Sequence, residues 1–126
     1  TFDNGIAALV AGDTLLMRAG TYNTYLDTRP AQKNASAVSG TSGNPITIAA
    51  YPGNCATPGT VGPGGVCENV TFRPTAKTEY ILMLTVQYWI FDGLRLNASA
   101  AYGGVNASSN NTFKNMDVFN MNVDNT

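Results

Sequence analysis

The sequence predicts an all-β fold: a parallel β-helix, or solenoid, of stacked coils behind a short N-terminal capping helix. Three observations carry that expectation: short β-prone segments split by turn residues, an internal period of 22 residues, and a Gly/Asn match within that period. The period sets Phe91-Asp92-Gly93-Leu94-Arg95-Leu96 over Phe113-Lys114-Asn115-Met116-Asp117-Val118, with Phe on Phe, Leu on Met, Leu on Val and Gly on Asn. Self-similarity of this length marks architectures in which each repeat contacts only its neighbours. Phe91 and Leu94 are three apart and cannot face one interior on an unbroken strand of period two. A tight bend must intervene, and Gly and Asn are the residues that most readily take the left-handed conformation it needs.

From the N-terminus, Asn4 or Gly5 is placed to cap a helix in which Ile6, Leu9 and Val10 share one apolar face, ending before Gly12. Residues 1–12 then form the helical cap and 13–126 the coils of a single domain. β-prone segments follow at 14–18, 45–50, 70–73, 80–86, 88–96 and 112–119. Six short strands and one helix do not suggest βαβ units. Ile48-Ala49-Ala50-Tyr51-Pro52 also aligns with Val70-Thr71-Phe72-Arg73-Pro74 at the same period. Leu15 and Met17 match Ile46 and Ile48 at an offset of 31, as if nine residues were inserted in the polar stretch 23–44. Two loops, 28–43 and 54–68, are expected to project from the coils, where loops commonly build a binding face. Phe91/Phe113, Leu94/Met116 and Leu96/Val118 are expected to stack inside. The chain opens at Thr1 in sequence that already reads as folded, so processing or truncation is expected to have removed what came before. At Asn125-Thr126 no capping element follows, which predicts an open parallel edge covered by further coils or by another chain, end to end.

Composition narrows the partners. Only 12% of the 126 residues are charged, and the net charge is −1 with the basic residues scattered. That pattern offers neither nucleic acid nor an anionic membrane an electrostatic footprint. No apolar run approaches the roughly 20 residues of a membrane span. A surface of neutral polar groups suits carbohydrate. Cys55 and Cys67 bracket a Gly/Pro/Thr loop that cannot pack by itself, and a disulfide there would constrain its unfolded state by about 3 kcal/mol. The alternative is two reduced thiols, but the spacing lacks a second ligand pair and the chain has no His for a zinc site. The bridge implies an oxidising, extracellular setting. Asn34, Asn69, Asn97, Asn106 and Asn110 each open an Asn-X-Ser/Thr acceptor pattern for N-glycosylation.

Gly12-Asp13-Thr14-Leu15-Leu16-Met17-Arg18-Ala19-Gly20-Thr21-Tyr22 and Gly40-Thr41-Ser42-Gly43-Asn44-Pro45-Ile46-Thr47-Ile48-Ala49-Ala50-Tyr51-Pro52-Gly53 carry a family resemblance. Trp89-Ile90-Phe91-Asp92-Gly93-Leu94 and Asn111-Thr112-Phe113-Lys114-Asn115 continue it. These stretches resemble the pectate-lyase-like right-handed parallel β-helix superfamily, in particular the N-terminal coils of chondroitinase B and alginate lyase-type proteins and related β-helix repeat proteins. The resemblance implies a scaffold rather than a reaction. In the lyases of that superfamily the catalytic Lys and Arg and the Ca²⁺-binding carboxylates lie on later coils, so no catalytic residue transfers to this chain. Ca²⁺ enters only if the full-length protein is a lyase, and no other cofactor is implied.

Proton abstraction beside a uronate carboxylate needs a base and a neutralising cation, which draws attention to Lys114, Arg95, Asp92 and Asp117. The period accounts for them otherwise. It sets Asp92 beside Lys114 and Arg95 beside Asp117 on neighbouring strands, as a ladder of opposite charges. Tyr22, Tyr25, Tyr51, Tyr80, Tyr88, Trp89 and Tyr102 are aromatics able to stack on sugars. Tyr88 and Trp89 are adjacent and point to opposite sides of a strand, so one belongs to the core and the other to an exposed carbohydrate contact. The expected function is an extracellular, glycosylated, non-catalytic β-solenoid module of surface, matrix or fibre architecture. The alternatives are the N-terminal part of a polysaccharide lyase acting on uronate-containing polymer, and a carbohydrate-binding or adhesin module.

Overall fold

In the computed structural model, which describes residues 1–53 and 67–121, helix α1 (Phe2–Ala8) is capped by Thr1. The Thr1 Oγ1 accepts a hydrogen bond from the Asn4 amide at 3.3 Å. The cap thus falls on the first residue rather than on Asn4 or Gly5, because a threonine hydroxyl already stands there to satisfy an orphan amide. Leu9 is extended and ends the helix one residue short of Val10. Ile6 is buried, Leu9 packs at the core margin, and Val10 is 59% exposed, so the apolar face is narrower than its spacing predicts.

The remaining elements are strands: β1 (Thr14–Met17), β2 (Gly20–Tyr22), β3 (Leu26–Asp27), β4 (Ile46–Ala50), β5 (Val70–Phe72), β6 (Thr78–Leu84), β7 (Trp89–Asp92), β8 (Leu94–Asn97), β9 (Ala101–Ala107), β10 (Thr112–Lys114) and β11 (Asp117–Phe119). They form three sheets, ordered β1-β4-β7-β10, β2-β5-β8-β11 and β3-β6-β9, here sheets 1, 2 and 3. Every pairing within them is parallel. The chain therefore visits the three sheets in one fixed order and repeats it.

The register follows the period where the repeats are regular. Phe91 pairs with Phe113 and Asp92 with Lys114 across β7 and β10, and Arg95 with Asp117 and Leu96 with Val118 across β8 and β11. The corner between them has the expected chemistry: Gly93 and Asn115 are both left-handed, with φ of 78° and 54°. Earlier in the chain the expected register fails. Ile48 lies on β4 in sheet 1, between Leu15 and Phe91, whereas Val70 lies on β5 in sheet 2, between Gly20 and Leu94. Their shared apolar alternation reflects two strands facing one core from different sheets, not two stacked strands. Leu15 pairs with Ile48 and Met17 with Ala50, two positions from the expected match to Ile46 and Ile48. The shift keeps inward positions inward, since the side-chain period is two.

One core serves all three sheets. Ile46 and Ile48 of sheet 1, Val70, Phe72, Leu94 and Leu96 of sheet 2, and Leu26, Leu82 and Leu84 of sheet 3 are buried within it, with Trp89 and Phe91. Phe91 and Phe113 stack with ring centroids 5.3 Å apart and planes only 8° from parallel. Phe2 of α1 meets Phe72 edge to face at 5.3 Å, which ties the helix to that core. Val118, expected inside, is 40% exposed: β11 is the last strand of its sheet and no further strand covers it among the described residues. Met116 is only partly buried beside the core for the same positional reason.

Residues 28–43 contain no strand but are bound along the body. Thr28 accepts the Thr85 amide, Gly40 donates to the Gln87 carbonyl, Ser39 Oγ accepts the Gln87 amide, and the Val38 carbonyl accepts the Trp89 indole at 2.8 Å. Of the second expected loop, 54–68, residues 54–66 lie outside the described residues.

Candidate functional site

Charged and aromatic side chains lie together around sheet 3. β3 ends at Asp27, which is buried and takes a forked pair of bonds from Arg29: Nε to Oδ1 at 3.0 Å and Nη2 to Oδ2 at 2.7 Å. The Arg29 amide adds a third at 3.1 Å, and its Nη1 reaches Glu79 of β6 at 3.0 Å. Burial on its own pushes the Asp27 carboxyl upward, but these charge-assisted bonds outweigh it and hold the group below the ordinary aspartate range. Beside this cluster lies a hollow of about 230 Å³ lined by Tyr25, Gln32, Lys77 and Tyr80 among others. Lys77 also borders an adjoining hollow of about 300 Å³ with Ser99 and Tyr102, and its Nζ sits 4.7 Å over the Tyr102 ring. Lys33 Nζ is 4.3 Å over Tyr25. The Tyr80 ring approaches β9 at Gly103, where an added Cβ would stand 2.6 Å from it. Such a face offers ring surfaces, donors and acceptors together, which is the equipment for holding a polyhydroxylated ligand.

The outer side of sheet 1 is a second, plainer groove of about 410 Å³, where Thr14, Leu16 and Thr47 neighbour Asp92 and Lys114. Here the charge ladder expected from the period is realised. Lys114 Nζ is 3.9 Å from Asp92, whose other oxygen accepts the Asn115 side-chain amide at 2.8 Å. On sheet 2, Arg95 Nε is 3.2 Å from Asp117. Glu68 receives both Arg18 Nε and Nη2 and the Ala19 amide, and the Arg18 bonds hold its carboxyl below the usual range.

The other residues singled out in the sequence fall unevenly. Trp89 is fully buried and cannot touch a sugar, so of the adjacent pair it is the core residue. Tyr88 is half-buried and left-handed, with φ of 58°. Among the acceptor asparagines, Asn106 and Asn110 are exposed, Asn69 and Asn97 are half-buried, and Asn34 is 2% exposed with its amide engaged on both atoms. Cys67 is buried at the core margin, and Cys55 lies outside the described residues. What the sequence did not single out is the Arg29–Asp27–Glu79 cluster and Lys77. β6 pairs with β9 at an offset of 23, Thr78 with Ala101 and Tyr80 with Gly103, one residue off the period of 22, so the repeat gave no signal for it.

Among the described residues no group of three or more His, Cys, Asp or Glu is arranged to hold a metal ion, and no helix is long and apolar enough to cross a membrane. No protein-family model, curated protein or solved structure matches the chain.

Proposed function

We propose that the chain is an extracellular, glycosylated, non-catalytic module built as a right-handed parallel β-helix of the pectate-lyase-like kind, with a structural role in surface, matrix or fibre architecture. The fold part of this reading is supported by three all-parallel sheets visited in one repeating order. Parallel strands joined by crossovers take the right hand almost without exception. The functional part is carried by one observation: among the described residues five of the seven basic side chains are paired with carboxylates, while Arg73 bonds Asn23 and Lys77 lies over the Tyr102 ring. Arg18 pairs with Glu68, Arg29 with Asp27 and Glu79, Lys33 with Asp3, Arg95 with Asp117 and Lys114 with Asp92. Eliminating a uronate requires a base and cations aimed at the substrate rather than at neighbouring carboxylates. A bridge between Cys55 and Cys67 belongs to the same proposal, since it would close the segment that starts beyond Gly53.

One observation favours a second role for the same module. Tyr102 is 61% exposed, with Lys77 Nζ over its ring, in a hollow it lines with Ser99, Ala100 and Ala101, an arrangement suited to stacking on a sugar ring. In this reading the carbohydrate contact moves from Tyr88 and Trp89 to Tyr102, Tyr80 and Tyr25. The module reading is tested by incubating the protein with uronate polymers and following the ultraviolet absorbance of unsaturated chain ends. None should form above a protein-free control. Steady production would overturn it in favour of a lyase.

A further inference from the structure

The five acceptor asparagines are equivalent as sequence but not as structure. Asn34 sits inside the joint between α1 and the body: its Oδ1 accepts the Asp27 amide at 3.1 Å, and its Nδ2 donates to Asp3 of α1 at 3.0 Å. The Lys33 ammonium completes the joint, bonding Asp3 at 3.1 Å and Thr24 at 2.8 Å. An N-linked sugar is attached through Nδ2, the atom already given to Asp3, and a side chain 2% exposed leaves it no volume. Asn69 is half-buried, and its Oδ1 is buried without a hydrogen-bond partner. Asn97 is half-buried and accepts from the Ser99 amide and from Asn120 Nδ2. Asn106 on β9 and Asn110 at the corner before β10 are exposed, and neither side-chain amide bonds to another described residue.

We infer that Asn106 and Asn110 are the glycan-bearing positions of this chain, and that Asn34 is an internal clasp for the helix whose acceptor pattern cannot be used in the folded protein. Asn106 pairs with Met83 on sheet 3, so glycan would be attached on β9, the strand that carries Tyr102. This inference rests on the extracellular glycoprotein reading for its setting but is tested separately from it.

The chain is secreted from a eukaryotic host that N-glycosylates, and the folded monomer is isolated and mapped by peptide mass spectrometry after glycosidase release in heavy-oxygen water. Glycan on Asn106 or Asn110 with Asn34 bare is the expected map. Glycan on Asn34 in folded protein, or Asn106 and Asn110 both bare, overturns the assignment. Two variants made in a non-glycosylating host test the clasp. Ser36→Ala deletes the Asn34 acceptor pattern from an exposed position and should leave Tm at the wild-type value. Asn34→Asp deletes the same pattern, removes the Nδ2 donor and sets a carboxylate against Asp3, and should lower Tm by several degrees. Equal Tm values for the two variants would refute the clasp. The glycan map and these Tm values stand or fall without reference to unsaturated ends, so failure here is distinct from failure of the non-catalytic reading.

Discussion

Asn115 shows how one side chain sets a corner. Its backbone is left-handed, which Ala resists by about 1 kcal/mol or more, and its amide bonds the buried Asp92 carboxylate at 2.8 Å. Asn115→Ala loses both contributions and should destabilise the protein by about 2–3 kcal/mol in urea denaturation. Asn115→Gly keeps the backbone freedom and should cost about 1 kcal/mol less. Equal losses would mean that the corner carries no conformational demand. Gly103 makes the complementary case, since a Cβ there meets the Tyr80 ring at 2.6 Å. Gly103→Ala should cost about 1–3 kcal/mol, measured the same way, with part recovered when Tyr80 is also cut to Ser. The Gly93/Asn115 corner was legible because both residues announce left-handed backbone. A second corner one period apart, Tyr88 at φ 58° and Asn110 at φ 62°, was not, because tyrosine gives no such signal.

At the scale of elements, α1 and β3 are each held to the segment 28–43 through an acidic side chain, Asp3 to Lys33 and Asn34 and Asp27 to Arg29, which makes their attachment sensitive to acid. Burial pushes Asp3 and Asp27 upward, but bonds from Asn34 and Lys33 to Asp3, and from Arg29 to Asp27, leave both below the ordinary value of 3.8. A carboxylate lowered on folding adds stability that is complete above the unfolded value and is lost as pH falls through the folded one. Urea midpoints should therefore hold steady from neutral pH to about pH 4 and fall below it. Asp27→Asn should lower the midpoint at neutral pH and flatten the fall in acid; an unchanged acid slope would mean that the Asp27–Arg29 pair contributes nothing to it. Some elements could not be read in advance for reasons of length and composition. Gly20-Thr21-Tyr22 and Leu26-Asp27 are too short to display alternation, and Ala101–Ala107 carries Gly103 and Gly104, which weaken a strand unless something lies over them. Here the Tyr80 ring and Val118 do.

For the molecule as a whole, the period was legible where two repeats follow without insertion, from β7 to β11, and misleading where the intervening length changes. The match of residue 48 to residue 70 had the right chemistry and the wrong sheet, because alternation reports which face is buried and not which neighbour is stacked. The candidate site was less legible than the fold. Its tyrosines come from separate segments: Tyr25 and Tyr80 line one hollow and Tyr102 another, and Lys77 borders both. Stacked repeats also predict that the shared core responds as one unit. Phe91 is fully buried between Trp89 and Phe113, so Phe91→Ala should cost about 3–5 kcal/mol and shift the near- and far-ultraviolet circular dichroism transitions together. A near-ultraviolet loss that runs ahead of the far-ultraviolet one would contradict a common core.

The parallel stacking itself is tested most directly by nuclear Overhauser contacts between backbone protons of residues 90–92 and 112–114 in isotopically labelled protein. In-register parallel pairing predicts that Ile90 sees Thr112, Phe91 sees Phe113 and Asp92 sees Lys114, the partner number rising with the residue number, together with ring contacts between the two phenylalanines. Contacts whose partner numbers fall as the residue numbers rise would mean antiparallel strands, and would contradict the three-sheet fold and every site placed on it.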